Sequence, residues 1–85
     1  MKTFKYVIKD ELGIHARPAG LLAKEAKQYE STITITKGDK SASASQLMKL
    51  MSLGVKQGDE IEITVDGADE ETACAAMEAF LQNNL

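Results

Sequence analysis

Residues 31–36 read Ser-Thr-Ile-Thr-Ile-Thr, a β-branched segment in which polar and apolar side chains alternate. Residues 60–66 repeat the pattern, with Ile61, Ile63 and Val65 at every second position. Alternation with a period of two predicts strands that bury one face and leave the other in water. The two segments therefore favour an antiparallel sheet that is covered on one side only.

The flanking segments supply two more strands and three helices. Phe4, Tyr6 and Ile8 stand at every second position and indicate a first strand. The turn at residues 37–40 makes residues 41–44 the hairpin partner of the strand before it. Apolar spacing and capping residues, with Asp69 as the cap of the last helix, predict the helices. They span about residues 16–28, 47–53 and 70–83.

The predicted order of elements is β-α-β-β-α-β-α. The simplest architecture for this order is an α+β sandwich of two layers, in which a four-stranded antiparallel sheet carries all three helices on one face. The 85 residues suffice for a single domain over residues 1–85 and are too few for two domains.

Composition excludes several classes of protein. A hydrophobic share of 44%, a charged share of 27% and a net charge of −3 argue against a disordered polyelectrolyte and against a basic nucleic-acid binder. No segment approaches the ~18 consecutive apolar residues of a membrane span, so we expect a cytoplasmic protein that does not insert into a membrane. Neither of the glycine-rich nucleotide-binding motifs occurs, and we expect no cofactor.

The cysteine and histidine content argues against a metal centre. With one histidine and one cysteine, the chain lacks the ligands of an ordinary zinc site. Cys74 lies beside the predicted core face of the last helix, where a half-buried, unreactive thiol is expected. It cannot form an internal disulfide, which is typical of a reducing compartment.

One short segment, Gly13–Ala19, carries the candidate chemistry: Gly-Ile-His-Ala-Arg-Pro-Ala. Pro18 fits only in the first turn of a helix, so the helix begins beside His15. The backbone N–H groups of Ala16 and Arg17 then lack partners within the helix and form a site for an anion, above all phosphate. The imidazole is a nucleophile near neutral pH, and the guanidinium fits phosphate oxygens. The combination favours a phosphohistidine; the alternative is that His15 merely caps the helix and Arg17 is a solvated surface charge.

A second feature is apolar surface on the first two predicted helices. Leu21 points away from the apolar stripe of its helix, and three residues of the short second helix, Leu47, Met48 and Met51, cannot all face the sheet. Exposed apolar residues that include adaptable methionines are typical of a docking site for another protein. Lys24 and Lys27 would surround it with positive charge and favour acidic partners. The alternative is that a small domain with a thin core leaves some apolar surface exposed.

The sequence resembles a known family. Gly13–Ala19 resembles the signature G-[LI]-H-A-R-P-A of the HPr family, the histidine-containing phosphocarriers of the bacterial phosphoenolpyruvate:sugar phosphotransferase system (PTS). The match continues through Met51-Ser52-Leu53-Gly54 and Gly67-Ala68-Asp69-Glu70-Glu71 and needs no gap. The resemblance implies the HPr-like open-faced sandwich with sheet order 1-4-2-3.

The resemblance also implies a function. His15 would accept a phosphoryl group at Nδ1 from phosphorylated enzyme I and pass it to enzyme IIA domains for sugar uptake and phosphorylation. Ala16 and Arg17 would bind the phosphoryl group. Such a protein is a stoichiometric carrier without catalytic turnover of its own, and one that presents a single face to several partners is expected to be a monomer. The partner-binding residues implied are Leu21, Lys24, Lys27, Leu47, Met48 and Met51.

One position departs from part of the family. Many Gram-positive members carry a serine at the start of the second helix that an ATP-dependent kinase phosphorylates; here the matching residue is Gln46. We therefore predict that this regulation is absent, with Ser45 left open as a shifted target. An alternative function is a regulatory HPr-like interaction module, whose phosphorylation state signals to enzymes or transcription factors without driving sugar transport.

Overall fold

The protein is described here by a computed structural model that covers all of residues 1–85. The elements follow the predicted order, and their bounds are β1 Lys2–Val7, α1 Ala16–Ala26, β2 Thr32–Lys37, β3 Lys40–Ser43, α2 Leu47–Ser52, β4 Glu60–Asp66 and α3 Glu70–Asn84. The sheet order is β1-β4-β2-β3, and each neighbouring pair is antiparallel. The predicted α+β fold and its strand order are confirmed.

The central strands show why the alternation determines the sheet. Ile63 of β4 pairs with Phe4 of β1 on one side and with Ile35 of β2 on the other. Ile63 and Ile35 are fully buried, as is Ile61. Because a register slip of one residue would turn these side chains toward water, burial of this row sets the pairing of the strands.

The helices bury one stripe each against this row. In α1 the buried residues are Pro18, Ala19, Leu22, Ala23 and Ala26, and in α3 they are Ala73, Met77 and Leu81. Full burial of one such large apolar side chain stabilises the fold by about 1.5–3 kcal/mol. No helix combines the length and the apolar character that a membrane span requires.

Helix ends differ from the prediction in small ways. α1 ends at Ala26 instead of about Gln28, because the N–H of Gln28 donates to the carbonyl of Glu25 and closes a tighter turn. α3 extends one residue beyond the predicted end, to Asn84, whose side chain is exposed.

Asp69 occupies the predicted cap position of α3, but its carboxylate does not bond to that helix. It accepts hydrogen bonds from the N–H groups of Glu30 and Ser31, each at 2.9 Å, and from the Ser31 hydroxyl at 2.5 Å. These donors, the Ser31 hydroxyl first, lower the pKa of Asp69 below its ordinary value. The carboxylate thus ties the segment between α1 and β2 to the start of α3.

The loop before α1 is fixed by Gly13. This residue has φ +66°, and a Cβ added to it would overlap the backbone carbonyl oxygen of Val55. The N–H of Ile14 donates to that same oxygen at 3.2 Å. Only glycine combines this backbone conformation with such a close approach. The contact anchors the loop two residues before His15.

Candidate functional site

His15 is the N-cap residue of α1, as predicted. Its backbone is extended, with φ −105° and ψ −176°, and its carbonyl accepts the N–H of Ala19 at 3.0 Å. The imidazole makes no capping hydrogen bond to the helix, and no acidic residue stands in the first turn. The ring therefore does not serve as a cap, and neither it nor an acidic side chain of the first turn occupies the positive end of α1.

The imidazole lies at the surface of the molecule. The His15 side chain is 34% exposed, so a reacting group can reach it. Arg17 follows in the first turn and is also exposed, while Pro18 is buried beneath them. Pro18 fits here because a residue in the first turn needs no N–H for the helix.

An open cleft of about 310 Å³ brings these residues together with the end of α3. Its lining residues are Asp10, His15, Arg17, Pro18, Leu21, Asn83 and Asn84. The structure therefore gathers the imidazole, the guanidinium and the helix N-terminus at one surface. Neither here nor elsewhere in the structure do three His, Cys, Asp or Glu side chains converge in a way that could hold a metal ion.

Asp10 also lies at the cleft, although it is not among the residues predicted from the sequence. One of its carboxylate oxygens, Oδ1, lies 3.8 Å from Nε2 of His15. The same oxygen accepts the N–H of Leu12 at 2.8 Å. An aspartate that bonds to the N–H two residues ahead is a common turn signal, and it could have indicated that this side chain bends back along the loop.

The end of α3 is a second part of the cleft that is not predicted from the sequence. The carbonyl of Leu85 accepts the N–H groups of Lys9 and Asp10, at 2.6 and 3.0 Å. Asn84 next to it donates from Nδ2 to the carbonyl of Phe80 at 2.9 Å. No local sequence signal points to this contact, because its partners stand at opposite ends of the chain.

The predicted exposed residues lie on adjoining helices, since α1 packs against α2. We call this face the α1–α2 surface; it consists of Leu21, Lys24, Lys27, Leu47, Met48 and Met51. Met48 is its most exposed apolar member, at 75%, whereas Leu50 and Leu53 are buried. Lys24 and Lys27 take part in none of the ion pairs of the structure.

Three further residues lie away from the cleft. Gln46 is the N-cap of α2, and the hydroxyl of the half-buried Ser45 is 3.0 Å from the hydroxyl of Ser43. Cys74 is half-buried, as expected, and burial raises the pKa of its thiol. A raised pKa keeps the sulfur in its less nucleophilic thiol form.

Comparison with known proteins decides the family. Residues 2–83 match the family model described as the PTS HPr component phosphorylation site. The chain belongs to the HPr family. It is 46% identical over 85 residues to the phosphocarrier protein HPr of Mycoplasma genitalium, a match that covers 99% of this chain and 97% of that protein.

Other HPr relatives agree in fold and in sequence. A solved Mycoplasma histidine-containing phosphocarrier protein superposes with a TM-score of 0.93 at 38% identity, over 96% of this chain and 93% of that one. A multiphosphoryl transfer protein of Escherichia coli O157:H7 is 42% identical over 76 residues, which cover 86% of this chain and 20% of that protein. The HPr chain is therefore a phosphocarrier of the PTS, as the resemblance predicts.

Proposed function

We propose that His15 is the residue that carries the phosphoryl group, bonded to Nδ1. The observation that supports this most strongly is the His15 ring, which stands at the first turn of α1 without capping it and shares a cleft with Arg17. Helix N-termini attract phosphate through free N–H groups and the helix dipole. The N–H groups of Ala16 and Arg17, together with the guanidinium, would hold the phosphoryl oxygens.

The transfer itself needs little from the carrier. The lone pair of Nδ1 attacks phosphorus, and a nitrogen–phosphorus bond forms while the bond between phosphorus and the donor atom breaks. The donor atom keeps the electron pair of the broken bond. Passing the group on reverses these steps, which regenerates His15. The protein is then a stoichiometric carrier, and catalytic turnover belongs to its partners.

The partners we propose are enzyme I as phosphoryl donor and enzyme IIA domains as acceptors. Both would bind in turn to the α1–α2 surface, whose apolar centre and unpaired lysines suit partners with an acidic rim. The name of the multiphosphoryl transfer protein supports successive phosphoryl transfers involving an HPr-like segment. Because one face would serve every partner, we propose that the protein is a monomer. We further propose that it is a single domain over residues 1–85, that it acts in the cytoplasm and that it binds no nucleic acid.

Labelling with phosphoenolpyruvate tests the proposal. Incubation with enzyme I and ³²P-phosphoenolpyruvate should add one acid-labile phosphoryl group to the wild-type chain and none to His15→Ala. Arg17→Ala should accept the group more slowly at unchanged stability, because an exposed charge contributes little to folding. Lys40→Ala, an exposed cation outside the cleft, is the matched control and should react at the wild-type rate. A labelled His15→Ala protein would exclude His15 as the carrier.

A further inference from the structure

Asp10 is held firmly beside the cleft. Its N–H donates to the carbonyl of Leu85 and its own carbonyl accepts the N–H of Gly13, both at 3.0 Å. Its Oδ1 accepts the N–H of Leu12 at 2.8 Å. Three hydrogen bonds therefore fix the backbone and the carboxylate, whose position is determined by the fold independently of any bound group.

The carboxylate faces one particular nitrogen of the His15 ring. Its Oδ1 lies 3.8 Å from Nε2, which is too long for a hydrogen bond and short enough for a direct electrostatic effect. Arg17 is the other charged side chain that lines the cleft. In a neutral imidazole, the proton resides on the nitrogen that faces a negative partner. The other nitrogen keeps its lone pair.

We propose that Asp10 is a positioning residue that selects the tautomer of His15 with the proton on Nε2, so that Nδ1 is the nucleophile. The consequence of this tautomer for phosphoryl transfer rests on the function proposed above. When Nδ1 attacks phosphorus and the donor bond breaks, the proton stays on Nε2 and the ring gains positive charge. The carboxylate of Asp10 stands where that charge develops and offsets it.

Nitrogen-15 NMR of the unphosphorylated protein tests the tautomer directly. The spectra are recorded under alkaline conditions in which imidazole is neutral, because the shifts of the two ring nitrogens then report the ratio of the tautomers. Asp10→Asn keeps an oxygen for the N–H of Leu12 and removes the charge. Glu11→Gln removes a charge from the adjacent exposed residue and is the matched control.

We expect the ratio of Nε2–H to Nδ1–H tautomer to fall by about twofold in Asp10→Asn, because the carboxylate acts on the dipole of a neutral ring, which is a weaker interaction than a partly exposed charge pair. The ratio should not change in Glu11→Gln. Asp10→Ser also retains a side-chain oxygen for the turn and should show the same fall. A wild-type ratio in both Asp10 variants would overturn the proposal.

The outcome is separable from that of the proposed function, because the spectra involve no phosphoryl group. A normal tautomer ratio in the Asp10 variants together with normal labelling of His15 would refute the role of Asp10 alone. A lowered ratio in the Asp10 variants, together with a wild-type chain that enzyme I does not label, would refute the proposed function and leave the role of Asp10 intact.

Discussion

Replacing Gly13 with alanine tests the contact that fixes the loop before the cleft. Gly13 has φ +66°, which costs an alanine about 1–2 kcal/mol. The new Cβ would overlap the carbonyl of Val55, a backbone atom that cannot move aside without loosening the hydrogen bond from Ile14. That bond is worth about 0.5–1.5 kcal/mol.

The expected cost of Gly13→Ala is therefore about 1.5–3.5 kcal/mol of unfolding free energy. A domain of 85 residues has about 4–13 kcal/mol in total, so the variant should fold with much reduced stability. Gly38→Ala is the matched control, because Gly38 has φ +60° and a Cβ added there meets no atom within 4 Å. Its cost should be only the conformational part, about 1–2 kcal/mol.

Urea unfolding followed by circular dichroism measures both variants. Each kcal/mol lost should lower the midpoint by about 0.3–1 M, with an unchanged slope. Phosphoryl acceptance should also slow in Gly13→Ala, because Gly13 bonds to Asp10 and precedes His15 by two residues. Equal midpoints for the two variants would refute the close approach of Gly13 to Val55.

Three further predictions concern the core, the surface and the response to acid. Leu22→Ala, which empties a fully buried position in α1, should cost about 2–5 kcal/mol in urea unfolding; a loss below 1 kcal/mol would show that the core is looser than described. Met48→Asp should slow phosphoryl acceptance from enzyme I in a steady-state assay, because Met48 belongs to the α1–α2 surface proposed to bind enzyme I. The urea midpoint should not change, because Met48 is 75% exposed. An unchanged rate would show that Met48 does not contact enzyme I. The lowered pKa of Asp69 means that its contribution to stability is complete above its ordinary value of 3.8 and is lost as the pH falls through the lowered value. Unfolding free energy should therefore decline more steeply on acidification in the wild type than in Asp69→Asn, and parallel declines would contradict the hydrogen bonds to Ser31.

The fold could be predicted from the sequence because the alternation of polar and apolar residues that determines the sheet is visible within two short segments. The alternation in residues 31–36 and 60–66 fixes which side chains are buried, and burial fixes the register of the sheet. Helix ends are less determined, since the last turn of α1 depends on a weak competition between two hydrogen-bond patterns. Asp69 shows a different limit of prediction from sequence. Aspartate is a common helix cap, but this carboxylate accepts the N–H groups of Glu30 and Ser31, which are far from it in the sequence.

In the candidate site, too, one residue could be placed from the sequence and another could not. The position of His15 at the start of α1 could be predicted from Pro18, because proline three residues later fits only in the first turn of a helix. Asp10 could have been noticed as a turn residue, yet its approach to the His15 ring depends on the carbonyl of Leu85 at the other end of the chain. Contacts of that kind follow from tertiary packing, and the residues involved show no periodicity that would reveal them.

The central claim is that one nitrogen of His15 carries the phosphoryl group. Phosphorus-31 and nitrogen-15 NMR of the protein labelled by enzyme I and phosphoenolpyruvate detects the bond itself, because coupling between the two nuclei identifies the nitrogen attached to phosphorus. We expect a single acid-labile phosphoryl group coupled to Nδ1 of His15. A phosphoryl group on Nε2, or on a residue other than His15, would contradict it.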